Sequence, residues 1–260
     1  VLSAGMCAEN AAWEADLGYA RELRAGRASD AKDAKLRGER WHQIAAKRFG
    51  AAYQRAIAAF GPLDGKCPEV EPAEEVFLLL GLSSGLMAVL HDRSSGGAAG
   101  ISMSIPRTAE RATRCLSSDK WWGVPNAMAA MVWLTVPGSA PKGKDPKETL
   151  SKAVLIGDKA GVRLARAMQV LAVAGSGDEK GLRDAIAAHG KSLETTKANP
   201  TWLLLDAYAT ALSRQQSDLI WMAEKGHRGP TAGLGKLPSK PEAIDPSEDA
   251  DLLDDLDDDK

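Results

Sequence analysis

The side chains of this sequence that could carry chemistry are few and scattered. His42, His91, His189 and His227 form no His-x-x-x-His or His-x-x-Glu pair, the spacings that place two metal ligands on one face of a helix. No cysteine has a histidine partner by motif. The Ser94–Gly100 loop lacks the Gly-Lys-Ser/Thr ending with which a phosphate loop meets its nucleotide. His91-Asp92 falls at a predicted helix end, where an imidazole favours the negative pole of the helix dipole. The expectation is a protein without catalytic residues, metal or cofactor.

Cysteines and tryptophans remain. Val1-Leu2-Ser3-Ala4-Gly5-Met6-Cys7 is similar to the end of a bacterial lipoprotein signal, small residues running up to a cysteine, although Met6 departs from the small residue usual there. On that reading Cys7 carries lipid; on the plainer one the stretch is an ordinary N-terminal segment. Cys67 and Cys115 are then either a disulfide formed in an oxidising compartment or two separate thiols, because spacing alone does not fix geometry. Trp121, Trp122 and Trp133 are either packing residues or the lining of a ligand or partner groove between helices.

The elements that must position these residues read as helices throughout. Alanine is abundant and β-branched residues are sparse. Apolar residues make up 44% of the chain and charged ones 26%, an ordinary balance, and no apolar run reaches the roughly 18 residues that span a bilayer. Basic and acidic side chains interleave (33 Lys and Arg against 35 Asp and Glu), which does not point to nucleic acid. Helices are predicted over 8–27, over a long stretch ending at Gly61-Pro62, and over 73–91, where Gly81 and Gly85 mark close backbone packing. A further helix is predicted over 127–136, capped by Asn126. Two hairpins follow, started by Asp145-Pro146, Asp178 and Asn199-Pro200, with Gly190 closing the helix that begins at Glu179. Their spacing resembles tetratricopeptide repeats of about 34 residues. The expected organisation is a processed or flexible N-terminus (1–10), one all-α domain of stacked helical hairpins (11–225), and an unpacked Pro/Gly/Lys linker with a disordered acidic tail (226–260). Leu252, Leu253 and Leu256 lie at helical spacing among the aspartates of that tail, which lacks the Gly and Glu spacing of an EF-hand.

Several segments resemble the T-component (TatT) family of TRAP transporters. They are Trp122-Gly123-Val124-Pro125-Asn126-Ala127 with the apolar helix to Pro137, then Gly143-Lys144-Asp145-Pro146-Lys147 leading into Lys152-Ala153-Val154. Leu79-Leu80-Gly81-Leu82 and Ala198-Asn199-Pro200 are similar to the family's central and later helices, so the likeness spans Ala73–Trp221 in patches. Gly143-Lys144-Asp145 replaces a double glycine, and the acidic tail is extra. The resemblance implies an all-α, tetratricopeptide-like periplasmic lipoprotein with no catalytic residues. It also implies a homo-oligomer that pairs with a TRAP-type substrate-binding protein; the concave surface of stacked hairpins and the tryptophans add the expectation of a small, apolar ligand. The alternative expectation is a scaffold that binds a protein or peptide and uses the acidic tail to contact a basic surface.

Overall fold

The computed structural model describes residues 2–63 and 65–239; the acidic tail lies outside the described residues. The described chain is all-α: nine α-helices and two short 3-10 turns, with no strand among the described residues. The first hairpin pairs α1 (Leu2–Arg24) with α2 (Ala28–Phe60). Ala31, Ala34, Gly38, His42, Ala45, Phe49, Tyr53 and Ala56 recur at three- and four-residue steps, forming one buried stripe on α2. Most are small, so α1 can lie close against them. Residues 2–10 form the opening turns of α1 rather than a flexible segment. Gly5 is buried there because a Cβ on it would stand 2.8 Å from the Phe49 ring.

Helix α3 (Glu75–Ser94) packs on α2 and on the short α4 (Ile105–Ala112). It is long and apolar enough to cross a membrane by length and composition, but 56% of its apolar window is buried inside the protein, as suits a core helix. Its two glycines let α2 approach. A Cβ on Gly81 would fall 2.2 Å from the Ala56 Cβ, and one on Gly85 2.7 Å from Tyr53 Cδ2. A disulfide joins Cys67, in the α2–α3 connection, to Cys115, in the 3-10 turn after α4, with Cα atoms 5.3 Å apart. Closing 48 residues of sequence by this bond reduces the entropy of the unfolded chain, worth about 4 kcal/mol on a chain-entropy model.

Helix α5 (Val124–Thr135) lies against α6 (Pro146–Ala160) and α7 (Leu164–Ser176). It begins one turn before the predicted Asn126 cap, after Trp122 and Gly123 have both entered the left-handed region at φ 53° and 79°. Gly123 is required there: a Cβ would stand 2.0 Å from the Ala153 carbonyl oxygen. The strain at Trp122 is held by packing, since its ring lies 4.6 Å from Trp202 and 5.3 Å from Trp121.

Asp145 and Asp178 cap α6 and α8 (Glu179–Thr195), accepting from Lys147 and Glu148 N–H groups and from Gly181 N–H. Gly190 does not end α8, which runs on to Thr195. Its bare Cα accommodates the chain after α9 (Leu203–Lys225), whose Leu234 oxygen would lie 1.7 Å from a Cβ. The expectation of an unpacked segment from 226 is therefore corrected for residues 226–239. Leu234 is buried against Val170 and Ile186, Arg183 donates to the Pro238 carbonyl, and Trp221 donates to that of Lys236.

Arg163 ties the second half together from inside. It is 2% exposed, donates Nη1 to Asp206 Oδ2 at 2.5 Å and Nε to Ser192 Oγ at 3.0 Å, and reaches the Thr196 carbonyl. Helix α9 finally returns to pack on α1, so the first hairpin is joined to the last. In an open solenoid each repeat meets only its neighbours.

Candidate functional site

The side chains that come together are ones that no motif groups. Glu9 and Asp16 are seven residues apart on α1 and so share a face. From Glu9 a chain of hydrogen bonds crosses two other helices and returns to α1. His91 Nε2 (α3) is 3.0 Å from Glu9 Oε1, the two Nδ1 atoms of His91 and His42 (α2) are 2.8 Å apart, and His42 Nε2 is 3.0 Å from Asp16 Oδ2. Tyr208, on α9, donates its hydroxyl to the other oxygen of Glu9 at 2.9 Å. Glu9 is fully buried, both rings are nearly so, and the Asp16 side chain keeps 32% of its surface exposed. Phe49 stacks flat on His91 at 5.6 Å.

The three contacts that involve imidazole each need one proton. Burial and the neighbouring Glu9 push the Tyr208 hydroxyl well above its ordinary range, which keeps it a donor.

Tyr208 and Phe49 also belong to the wall of an apolar cavity of about 90 Å³. Met6 (α1), Met87 (α3), Met131 (α5), Met168 (α7) and Leu205 (α9) close it together with Phe49 of α2. Leu204, 76% exposed, stands at its mouth. A shallower groove runs on from it, shares Leu2, Leu80 and Ser84, and carries Phe77, 61% exposed. Methionine thioethers are unbranched and adaptable, so such a wall can re-form around occupants of differing shape.

A Gly-x-Ser-x-Gly spacing, absent from the expectations above, runs from Gly81 to Gly85. In a nucleophile elbow the serine tops a strand-to-helix turn. Here it lies inside α3, Ser83 donates to the Leu79 carbonyl at 2.9 Å, and the glycines serve helix packing. Glu39 and His42 likewise carry Glu-x-x-His spacing, but His42 is engaged with Asp16 and His91. Among the described residues no group of His, Cys, Asp or Glu is arranged to hold a metal ion.

The tryptophans part company. Trp121 and Trp122 are 6% and 5% exposed and pack with Trp202 in the main core, so the groove expected for them is corrected: they are structural. Trp121 Nε1 donates to Glu75 Oε2 at 2.6 Å, and that bond, with the bond to Lys120, holds the Glu75 carboxyl below its ordinary range. Trp133 does border an open cleft, on the other face of α5 from the aliphatic cavity's Met131. Cys7 is exposed on α1 and free. His91 lies in the last turn of α3, as expected from its position, and its side chain joins the buried chain. Asp92 folds the next loop, accepting from the N–H groups of Ala99 and Ile101.

Two signals for this site were present in the sequence. Glu9 sits among Ala8, Ala12 and Ala15 on the inward face of α1, and His42 occupies a position on the small-residue stripe of α2. A polar side chain at a core-facing position needs a buried partner. No family model, curated protein or solved structure matches the chain.

Proposed function

We propose that this chain is a non-enzymatic capture protein that holds a small aliphatic ligand in the cavity between α1, α3, α5, α7 and α9 and passes it to a protein partner. The observation that carries this reading is the cavity wall, built from leucine and methionine side chains with Tyr208 at one side. Its volume of about 90 Å³ is below the ~150 Å³ of an engineered cavity that admits benzene, which favours a slender alkyl chain. Exposed Leu204 and Phe77 at the mouth give an apolar rim of the kind partners cover.

On the T-component reading the partner is a TRAP-type substrate-binding protein, copies of the chain associate, and the protein works in the periplasm; a lipid on Cys7 is left out of the proposal, because removal of the residues before it would take Leu2 and Met6 from the cavity wall. The Cys67–Cys115 disulfide supports an oxidising compartment.

Calorimetric titration with straight-chain alcohols from butanol to decanol tests the ligand class. Affinity is expected to rise about fourfold per added methylene, about 0.8 kcal/mol each, until the cavity is full. Ser83→Phe, which fills the void from α3 and gives up the Ser83 bonds to the Leu79 carbonyl and to Met128 Sδ, is expected to abolish binding. Affinities independent of chain length, or unchanged in a folded Ser83→Phe protein, would overturn the reading.

A further inference from the structure

A second, chemically opposite opening lies between α4, α5 and α6. It has a volume of about 710 Å³, and Glu110, Trp133, Asn126, Arg114, Lys144 and Lys152 border it. Glu110 is the anchored group. Its side chain is 9% exposed, and one oxygen, Oε1, takes both Trp133 Nε1–H at 3.2 Å and Arg114 Nη2–H at 2.9 Å. Those bonds fix the carboxylate and the indole relative to each other before anything enters, and such preorganisation lowers the cost of binding. Asn126 is exposed in the lining, and Ser118 Oγ is buried in it without a hydrogen-bond partner.

We propose that this cleft binds a neutral saccharide. The distribution of charge decides the class. A buried carboxylate on the floor disfavours an anion. Arg114, Lys144 and Lys152 balance Glu110, Asp145 and Glu148 in the lining, with Lys152 paired to Glu148, so no net negative charge is left for a cation, although an indole beside a carboxylate would otherwise suit one. A neutral polyol satisfies both signs, because each hydroxyl donates to a carboxylate and accepts from an ammonium, guanidinium or amide. The indole of Trp133 offers an apolar face for the C–H side of a pyranose ring and already has its N–H satisfied. The volume falls within the range of ~300–1,000 Å³ typical of small-molecule sites. The site lies away from the aliphatic cavity and stands or falls independently of the function proposed above.

The test is NMR titration of the full chain with maltotriose, cellotriose and chitotriose, with choline and glucuronate as charged probes. The Trp133 indole N–H signal is assigned by its loss in Trp133→Phe. At least one trisaccharide is expected to shift that signal and bind, neither charged probe is expected to match it, and Glu110→Gln, which keeps the shape of the side chain, is expected to weaken binding at least tenfold. If Glu110→Gln fails to fold, the same loss is read from Trp133→Phe by calorimetric titration with the trisaccharide that binds the wild type. The proposal is overturned if no trisaccharide moves the Trp133 signal, if a charged probe binds more tightly than every trisaccharide, or if a folded variant binds as tightly as the wild type.

Discussion

Glu9 offsets its complete burial with partners on two other helices, His91 on α3 and Tyr208 on α9, and that arrangement sets what its removal does. Truncating one member of a buried hydrogen-bonded group leaves the others without partners, which typically costs about 1–3 kcal/mol per orphaned group and more where a group is charged. Glu9→Ala and His91→Ala are each expected to lose stability on that scale, while the double variant loses clearly less than the sum. A coupling energy above about 1 kcal/mol in urea unfolding checks it, and additive losses would mean that the chain of bonds is not formed. His189 is the opposite case: a histidine buried without a carboxylate. Burial, with Arg163 and Arg166 nearby, drives its pKa down to about 3, and Thr210 and Ser213 hydrogen-bond its ring. The unfolded chain, with an ordinary value of about 6.5, binds the extra proton first. Stability from this residue is therefore unaffected above that value and falls as pH drops from about 6.5 towards 3, by roughly 2 kcal/mol at pH 5. His189→Gln is expected to flatten the acid side of the profile; denaturant midpoints for both proteins between pH 7.5 and 5 measure the difference.

At the scale of the element, what a glycine does depends on what lies opposite it. Gly81 sits inside α3, where replacement by alanine should gain about 1 kcal/mol from helix propensity. The added carbon would instead meet Ala56 Cβ at 2.2 Å, far inside contact, and overpacking costs about 1–3 kcal/mol. Gly81→Ala is thus expected to lower the thermal midpoint, and Gly81→Ala with Ala56→Gly to recover part of the loss. The Asp145 and Asp178 caps of α6 and α8 could be read from the sequence because a cap is a local bond, closed within three residues. Gly190 was not legible in the same way. Its partner, Leu234, is 44 positions later, and no local rule separates a terminating glycine from one that admits another segment.

Across the whole molecule, contacts between the ends of the chain decide its shape. α9 packs on α1, Arg228 pairs with Glu14, and residues 226–239 lie over α8 and α9 rather than hanging free. Truncation after Gly226 is expected to expose Val170 and Ile186, strip the Arg183 and Trp221 bonds, and lower the thermal midpoint by several degrees relative to truncation after Ser239. Equal midpoints would show that the segment contributes nothing. The all-α class, the hairpins after Asp145 and the close packing at Gly81 and Gly85 were legible in the sequence. So was the absence of strands among the described residues, because helix propensity and apolar period act within a few positions. Only the tertiary structure decided that Glu9, His42, His91 and Tyr208 meet, that Trp121 and Trp122 are core while Trp133 faces a cleft, and that Cys67 reaches Cys115. The physical reason is distance along the chain: those groups are brought together by how helices pack against one another, and no pattern confined to one helix encodes it.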